Sequence, residues 1–166
     1  VGVTAGAGGR SYMDYRKVPM KLEELCNHIN QRREALIKSP NAIDAYLLSF
    51  DAHNILVTIH PWVDGNGRMS RLIMNHLQFE FGLVPSKIIK EDKAQYIEAL
   101  NESREEEAMA PFQKFMLKEH TQNLRNEILQ YRKSMEEDIA IADISVQMEG
   151  ENKMEKEKQK VVQKGG

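Results

Sequence analysis

Between positions 60 and 71 the chain reads His60-Pro61-Trp62-Val63-Asp64-Gly65-Asn66-Gly67-Arg68-Met69-Ser70-Arg71, and these residue types, at this spacing, suit an anion site. A glycine-rich turn that runs into a helix offers backbone N–H groups and the positive end of the helix dipole to whatever sits above it. Gly65 and Gly67 let the main chain approach a phosphate without a Cβ in the way. Arg68 and Arg71, three apart on the following helix, reach one anion from one face. Two guanidinium groups plus backbone donors suit a polyphosphate better than a single carboxylate. Asp64 adds the loop's one carboxylate, placed where Mg²⁺ bridges phosphate oxygens with few protein ligands. His60 ends the preceding helix; as a neutral imidazole it can take a proton from an incoming hydroxyl. Together these residues describe a phosphoryl or nucleotidyl transfer site, in which positioning and charge neutralisation supply most of the rate.

Such a loop has to be held between two helices, and the flanking sequence provides them. Leu22, Leu25, Cys26, Ile29 and Leu36 recur at helical spacing, predicting an amphipathic helix over 20–38 with Cys26 packed on its apolar face. Ser39-Pro40 resembles an N-cap followed by proline at the first helical position. The helix it opens, over 40–59, carries apolar residues around most of its cylinder, as a central buried helix does. Pro61, Gly65 and Gly67 stop it, and helical spacing resumes from Met69 to Phe81 before Gly82, a plausible C′ residue. Two more helices are expected over 91–106 and 111–135. The last thirty or so residues are rich in Glu, Lys and Gln, and read as a solvated helix or a disordered tail. At the other end, short β-type stretches flank Gly6, Gly8 and Gly9, a hairpin signal. The expected fold class is all-α with a small N-terminal β-hairpin: a core over 1–135 and a charged tail over 136–166.

Composition narrows the functions further. The 166 residues are 41% apolar and 29% charged, with a net charge of −2, which fits one globular unit with tails. No basic field points to nucleic acid, so none is expected as a partner, and no apolar run reaches the length of a membrane span. A single cysteine fits a reducing, cytoplasmic setting. The first residue is Val1, and a preceding segment is expected. His28, His53, His76 and His120 have no metal-ligand spacing and read as packing or surface residues.

The segment His60–Arg71 resembles the motif of the Fic family, His-Pro-Phe-x-Asp/Glu-Gly-Asn-Gly-Arg-x-x-Arg, with one departure: Trp62 in place of the usual Phe. Either aromatic is expected to anchor the loop from beneath. The resemblance continues through Val18-Pro19 before the motif and Ile89, Asp92 and Tyr96-Ile-Glu-Ala-Leu100 after it, over roughly residues 1 to 125. It implies a protein adenylyltransferase that moves AMP from Mg-ATP to a Ser, Thr or Tyr hydroxyl of a target protein. In that reading His60 is the base and Asp64 the Mg²⁺ ligand. Asn66 holds the α-phosphate, Gly65 and Gly67 receive the phosphates, Arg68 meets the β-phosphate and Arg71 the γ-phosphate. Tyr96 and Leu100 would line the adenine pocket, with core packing as the alternative for both. Residues 4–13 would form the hairpin flap that docks the target by strand addition. Gly67 favours AMP transfer over a phosphotransferase branch that usually has Lys there. UMP transfer and a silent nucleotide-sensing module stay open, as does a homodimer. In the tail, Ser145 and Glu149-Gly150 resemble the family's inhibitory Ser/Thr-x-x-x-Glu-Gly/Asn, whose Glu pairs with the motif's second arginine, here Arg71. A solvated tail is the alternative reading of that stretch.

Overall fold

A computed structural model describes the backbone of residues 13–164, with side chains over that range except 143, 149 and those from 151 onward. The expected hairpin over 4–13 lies, apart from Met13, outside the described residues. The described residues are helical and contain no strand: α1 Val18–Lys38, α2 Ala42–Ile59, α3 Asn66–Glu80, α4 Lys93–Glu105 and α5 Ala110–Lys164. None of these helices is long and apolar enough to cross a membrane. The chain divides into two compact units, Val1–Thr121 and Gln122–Gly166.

In the first unit α2 is the axis, as its all-round apolar pattern predicts. Leu48, Phe50, Ala52 and Leu56 are buried, and α2 takes α1 on one side and α3 on another. Leu36 of α1 and Leu77 of α3 meet Ala45, Leu48 and Ala52 of α2, while Leu25 packs on Leu56 and Ile59. A third cluster joins Phe50, Val57 and Met74 to Ala99 and Leu100 of α4 and Phe112 and Met116 of α5. Full burial of a side chain such as Phe50 contributes about 2 to 3 kcal/mol.

Two buried polar knots fix the register of these helices. Gln78, fully buried on α3, donates to Ser49 Oγ at 2.8 Å and Ser86 Oγ at 3.0 Å, and its Oε1 accepts from Ser86 N at 2.7 Å. Asp51, buried on α2, accepts from Gln113 Nε2 of α5 at 2.6 Å and meets Arg32 Nη1 of α1 at 3.5 Å. Burial raises the Asp51 carboxyl above the ordinary carboxylate range, against the pull of Gln113, Arg32 and His28. Arg33 of α1 also grips Glu80 at the end of α3 through both carboxylate oxygens.

Three local expectations need correcting. The cap of α2 is Asn41, whose Oδ1 accepts from Asp44 N at 3.1 Å, and Ser39 instead ends α1. The residue before a proline is pushed toward extended backbone, and an Asn one step later supplies an N-cap as good as Ser. Cys26 is exposed, not packed. Helix α3 opens at Asn66, three residues before the apolar spacing resumes, because Gly67 tolerates the first helical turn. Gly82 is left-handed (φ 66°) just past the C-cap Phe81, as expected.

The second unit, as far as it is described, continues α5 as one helix. Ile128, Tyr131, Met135, Ile139 and Val146 are exposed along it, and Lys133 pairs with Glu137 at 3.8 Å.

Candidate functional site

The site begins with the way α2 ends. His60 N donates to Leu56 O at 3.1 Å, which would normally be followed by the N–H of residue 61 donating to the carbonyl of Val57. Pro61 has no N–H, so that carbonyl is released from the helical ladder. His60 Nδ1 approaches it at 3.4 Å, so the histidine leans on the last turn of its own helix. His60 itself adopts a left-handed conformation, φ 52° and ψ 56°, which turns the chain sharply out of α2. Partial burial lowers the pKa of its imidazole, and the nearby Arg104 charge adds to the effect, against the pull of the Val57 carbonyl. The ring is therefore neutral at neutral pH and has a basic nitrogen.

The loop is pinned from within by Asn66. Its Oδ1 accepts from Trp62 N at 3.0 Å and its Nδ2 donates to Trp62 O at 2.6 Å, and the residue is 2% exposed. Trp62 is 43% exposed, so the expected aromatic anchor beneath the loop is replaced by this amide. A side chain bonded to both polar groups of one peptide residue fixes a turn more tightly than apolar packing does. Gly65 then takes the left-handed N-cap conformation, φ 84°, which favours glycine, and the helical ladder of α3 starts with Met69 N to Gly65 O at 2.9 Å. Ser70 Oγ donates to Asn66 O at 2.8 Å and ties that first turn together.

The charged groups fold back over this turn. Arg68 Nη2 donates to Asp64 Oδ2 at 2.8 Å, and Asp64 Oδ1 accepts from Gly65 N at 2.6 Å. A methyl group on Gly67 would lie 3.5 Å from Arg71 Nη1, and one on Gly65 would lie 3.7 Å from Arg68 Nη2. Both guanidinium groups thus flank the two glycines, at the end of α3 where its first amides point outward. The geometry brings Asp64, Gly65, Asn66, Gly67, Arg68 and Arg71 together, with His60 at the loop's other end. Among the described residues no three His, Cys, Asp or Glu side chains gather as a metal nest. Asp64 is nonetheless a solvent-facing carboxylate, of the kind a Mg²⁺ ion with phosphate oxygens as most of its ligands needs, though here its two oxygens accept from Arg68 and the Gly65 amide.

Behind Arg71 stands a histidine that sequence patterns leave undistinguished. His53, fully buried on α2, is hydrogen-bonded through Nε2 to Tyr96 OH of α4 at 3.0 Å and stacks on Phe112 with ring centroids 5.2 Å apart. Burial, helped by the Arg71 charge, lowers its pKa to about 4. The Tyr96 hydroxyl, held above its ordinary pKa by burial, senses the charges of Arg71 and Arg104. The Tyr96 hydroxyl meets the buried His53, and its ring packs against the core cluster in which Leu100 is buried. Ser145 is exposed, with Oγ donating to Ile141 O at 2.9 Å, and the Glu149 side chain lies outside the described residues.

Arg104, on the last turn of α4, is the group that sequence reasoning missed. Its Nε donates to Thr58 Oγ1 at 3.2 Å and its Nη2 to Val57 O at 3.4 Å. Nothing in its Glu-rich surroundings signals a partner on a helix so far away in sequence.

Residues 3–78 match the model of the Fic/DOC family. The chain is 35% identical over 94 residues to a Fido domain-containing protein of Dictyostelium discoideum, an overlap covering 57% of this chain and 62% of that one. It is 35% identical over 102 residues to a protein adenylyltransferase Fic of Nematostella vectensis, covering 54% of this chain and 24% of the relative. Over 65 residues it is 46% identical to the protein of that name from Drosophila mojavensis, covering 39% and 13%. The chain spans less than two thirds of the length of each of these relatives.

Proposed function

We propose, from the site geometry and the match of residues 3–78 to the Fic/DOC family model, that this chain transfers AMP from ATP to a hydroxyl side chain of a target protein. His60 takes the hydroxyl proton, the freed oxygen forms a bond to the α-phosphorus, and the bond from that phosphorus to the departing pyrophosphate breaks. Arg68, Arg71 and the first amides of α3 hold the phosphates, and Asn66 keeps the loop in the shape that presents them. Mg²⁺, held on the protein side by Asp64, offsets the phosphate charge when it is bound. Tyr96 serves the adenine end while Leu100, buried in the core, packs, and residues 4–13 dock the target segment along the main chain. The observation that carries the reading is the neutral, left-handed His60 at one end of an Asn66-pinned turn whose other end gathers Arg68 and Arg71 over two glycines.

Incubating the purified chain and a cell extract with Mg²⁺ and ATP labelled at either the α or the γ phosphate tests this directly. Protein labelling from the α position alone, falling at least about 100-fold in His60→Ala, is the expected result. Label from the γ position would make the chain a phosphotransferase. Labelling from α-labelled UTP but not from ATP would change the donor. Binding of ATP with no labelling would leave a nucleotide-sensing module.

A further inference from the structure

The Val57 carbonyl that Pro61 releases accepts from two side chains: His60 Nδ1 and Arg104 Nη2, each at 3.4 Å. Arg104 also reaches the neighbouring Thr58 hydroxyl with Nε at 3.2 Å, so one planar guanidinium spans the final turn of α2. A carbonyl only accepts, so the proton of the neutral ring sits on Nδ1, and Nε2 is the basic nitrogen. We propose that Arg104 is a positioning residue for the transfer reaction, clamping the last turn of α2 so that its own histidine keeps Nδ1 on the Val57 carbonyl and offers Nε2 as the base. The inference rests on the AMP-transfer reading for its catalytic consequence, but its effect on the imidazole stands apart from that reading.

The surroundings allow this assignment. The charged or titratable residues on the elements that carry or flank the loop include Arg104, Tyr96, Glu98, Glu102 and Glu105 of α4, Asp64 of the loop, and Arg68 and Arg71 of α3. Lys21, Glu24 and His28 of α1, with Glu107 beyond α4, border an adjoining cavity of about 470 Å³ that Ile59 and Arg104 also line. Asp64 and Arg68 are paired with each other, as are Lys21 and Glu24. Of these groups it is Arg104 whose charge opposes protonation of His60. A positive neighbour depresses a histidine's pKa, so removing it moves the ring's titration upward.

The test uses the whole chain in three variants, Arg104→Gln, Arg104→Lys and Thr58→Val, read by ¹⁵N NMR of the His60 ring without nucleotide and by the pH profile of AMP transfer. In wild type the ring is expected as the Nδ1–H tautomer. In Arg104→Gln it becomes a mixture of tautomers and titrates at higher pH, since a neighbouring positive charge has been removed. The acidic limb of kcat moves up with it, and kcat at pH 7 falls about two- to threefold while the KM for ATP does not change. Arg104→Lys keeps the titration near wild type but mixes the tautomers, and Thr58→Val shifts both readings slightly in the direction of Arg104→Gln. An unchanged His60 ring in Arg104→Gln overturns the proposal, and so does a loss confined to the KM for ATP, which would make Arg104 a nucleotide contact. If the ring responds as expected but wild type transfers no AMP, the transfer reading fails and the assignment of Arg104 to His60 stands.

Discussion

His60 is the one residue of the loop that combines a reactive side chain with a left-handed backbone, φ 52° and ψ 56°. For a residue with a Cβ that conformation costs about 1 to 2 kcal/mol, and glycine is the usual occupant of such a helix end. The strain is held by the bond of His60 N to Leu56 O and by the loop beyond it. His60→Ala and His60→Gly should therefore be equally inactive yet differ in stability. Glycine is expected to be the more stable by about 1 kcal/mol in urea denaturation. Equal midpoints would mean that the loop relaxes out of the left-handed state once the imidazole is gone.

Asn66 controls the turn between α2 and α3 as a unit, since its two bonds to the Trp62 main chain close the loop on itself. Asn66→Ala leaves the Trp62 N–H and carbonyl without those partners and should cost about 2 to 3 kcal/mol of stability, with the amide exchange of residues 62–66 rising first. Asn66→Asp keeps the acceptor but sets a carboxylate against the Trp62 carbonyl, so it should rescue only part of the loss. At this scale the sequence is informative about repeating features and much less so about single contacts. The spacing of Leu48, Phe50 and Leu56 marks α2 as central, and Gly82 marks the end of α3, because periodicity and left-handed glycines leave local traces. The choice of Asn41 over Ser39 as the cap depends on backbone angles around Pro40 that two good capping residues do not distinguish. The exposure of Trp62 and the burial of Asn66 reverse what apolar character alone suggests, since an amide with two backbone partners is stable inside. Arg104 leaves no local trace, because Thr58 and Val57, to which it donates, belong to another helix.

Across the first unit, His53 links α2 to Tyr96 of α4 and Phe112 of α5, with Arg71 of α3 close enough for its charge to be felt. Its pKa falls to about 4 in the folded chain against an ordinary 6.5, so between these values the unfolded chain binds a proton that the folded one refuses. Its contribution is complete above pH 6.5 and is lost as the pH falls through this window, roughly 3 kcal/mol by pH 4. Asp51, raised by burial, titrates in the opposite sense, so the comparison is with His53→Gln, which keeps Asp51. The variant should be less stable at pH 7.5 but should lose less of its stability in urea between pH 6.5 and 4.5. Parallel losses would show that His53 is protonated inside the fold. The buried Asp51 knot also sets an order of events during synthesis. Arg32 has already been made when α2 leaves the ribosome, but Gln113 comes long after the His60–Arg71 segment, so a nascent chain carries the whole loop sequence while the α2 carboxylate still lacks its closest partner. The core that packs α2 and α3, which takes Phe112 and Met116 from α5, can close only after translation has passed the start of α5, a late step in the life of the new chain.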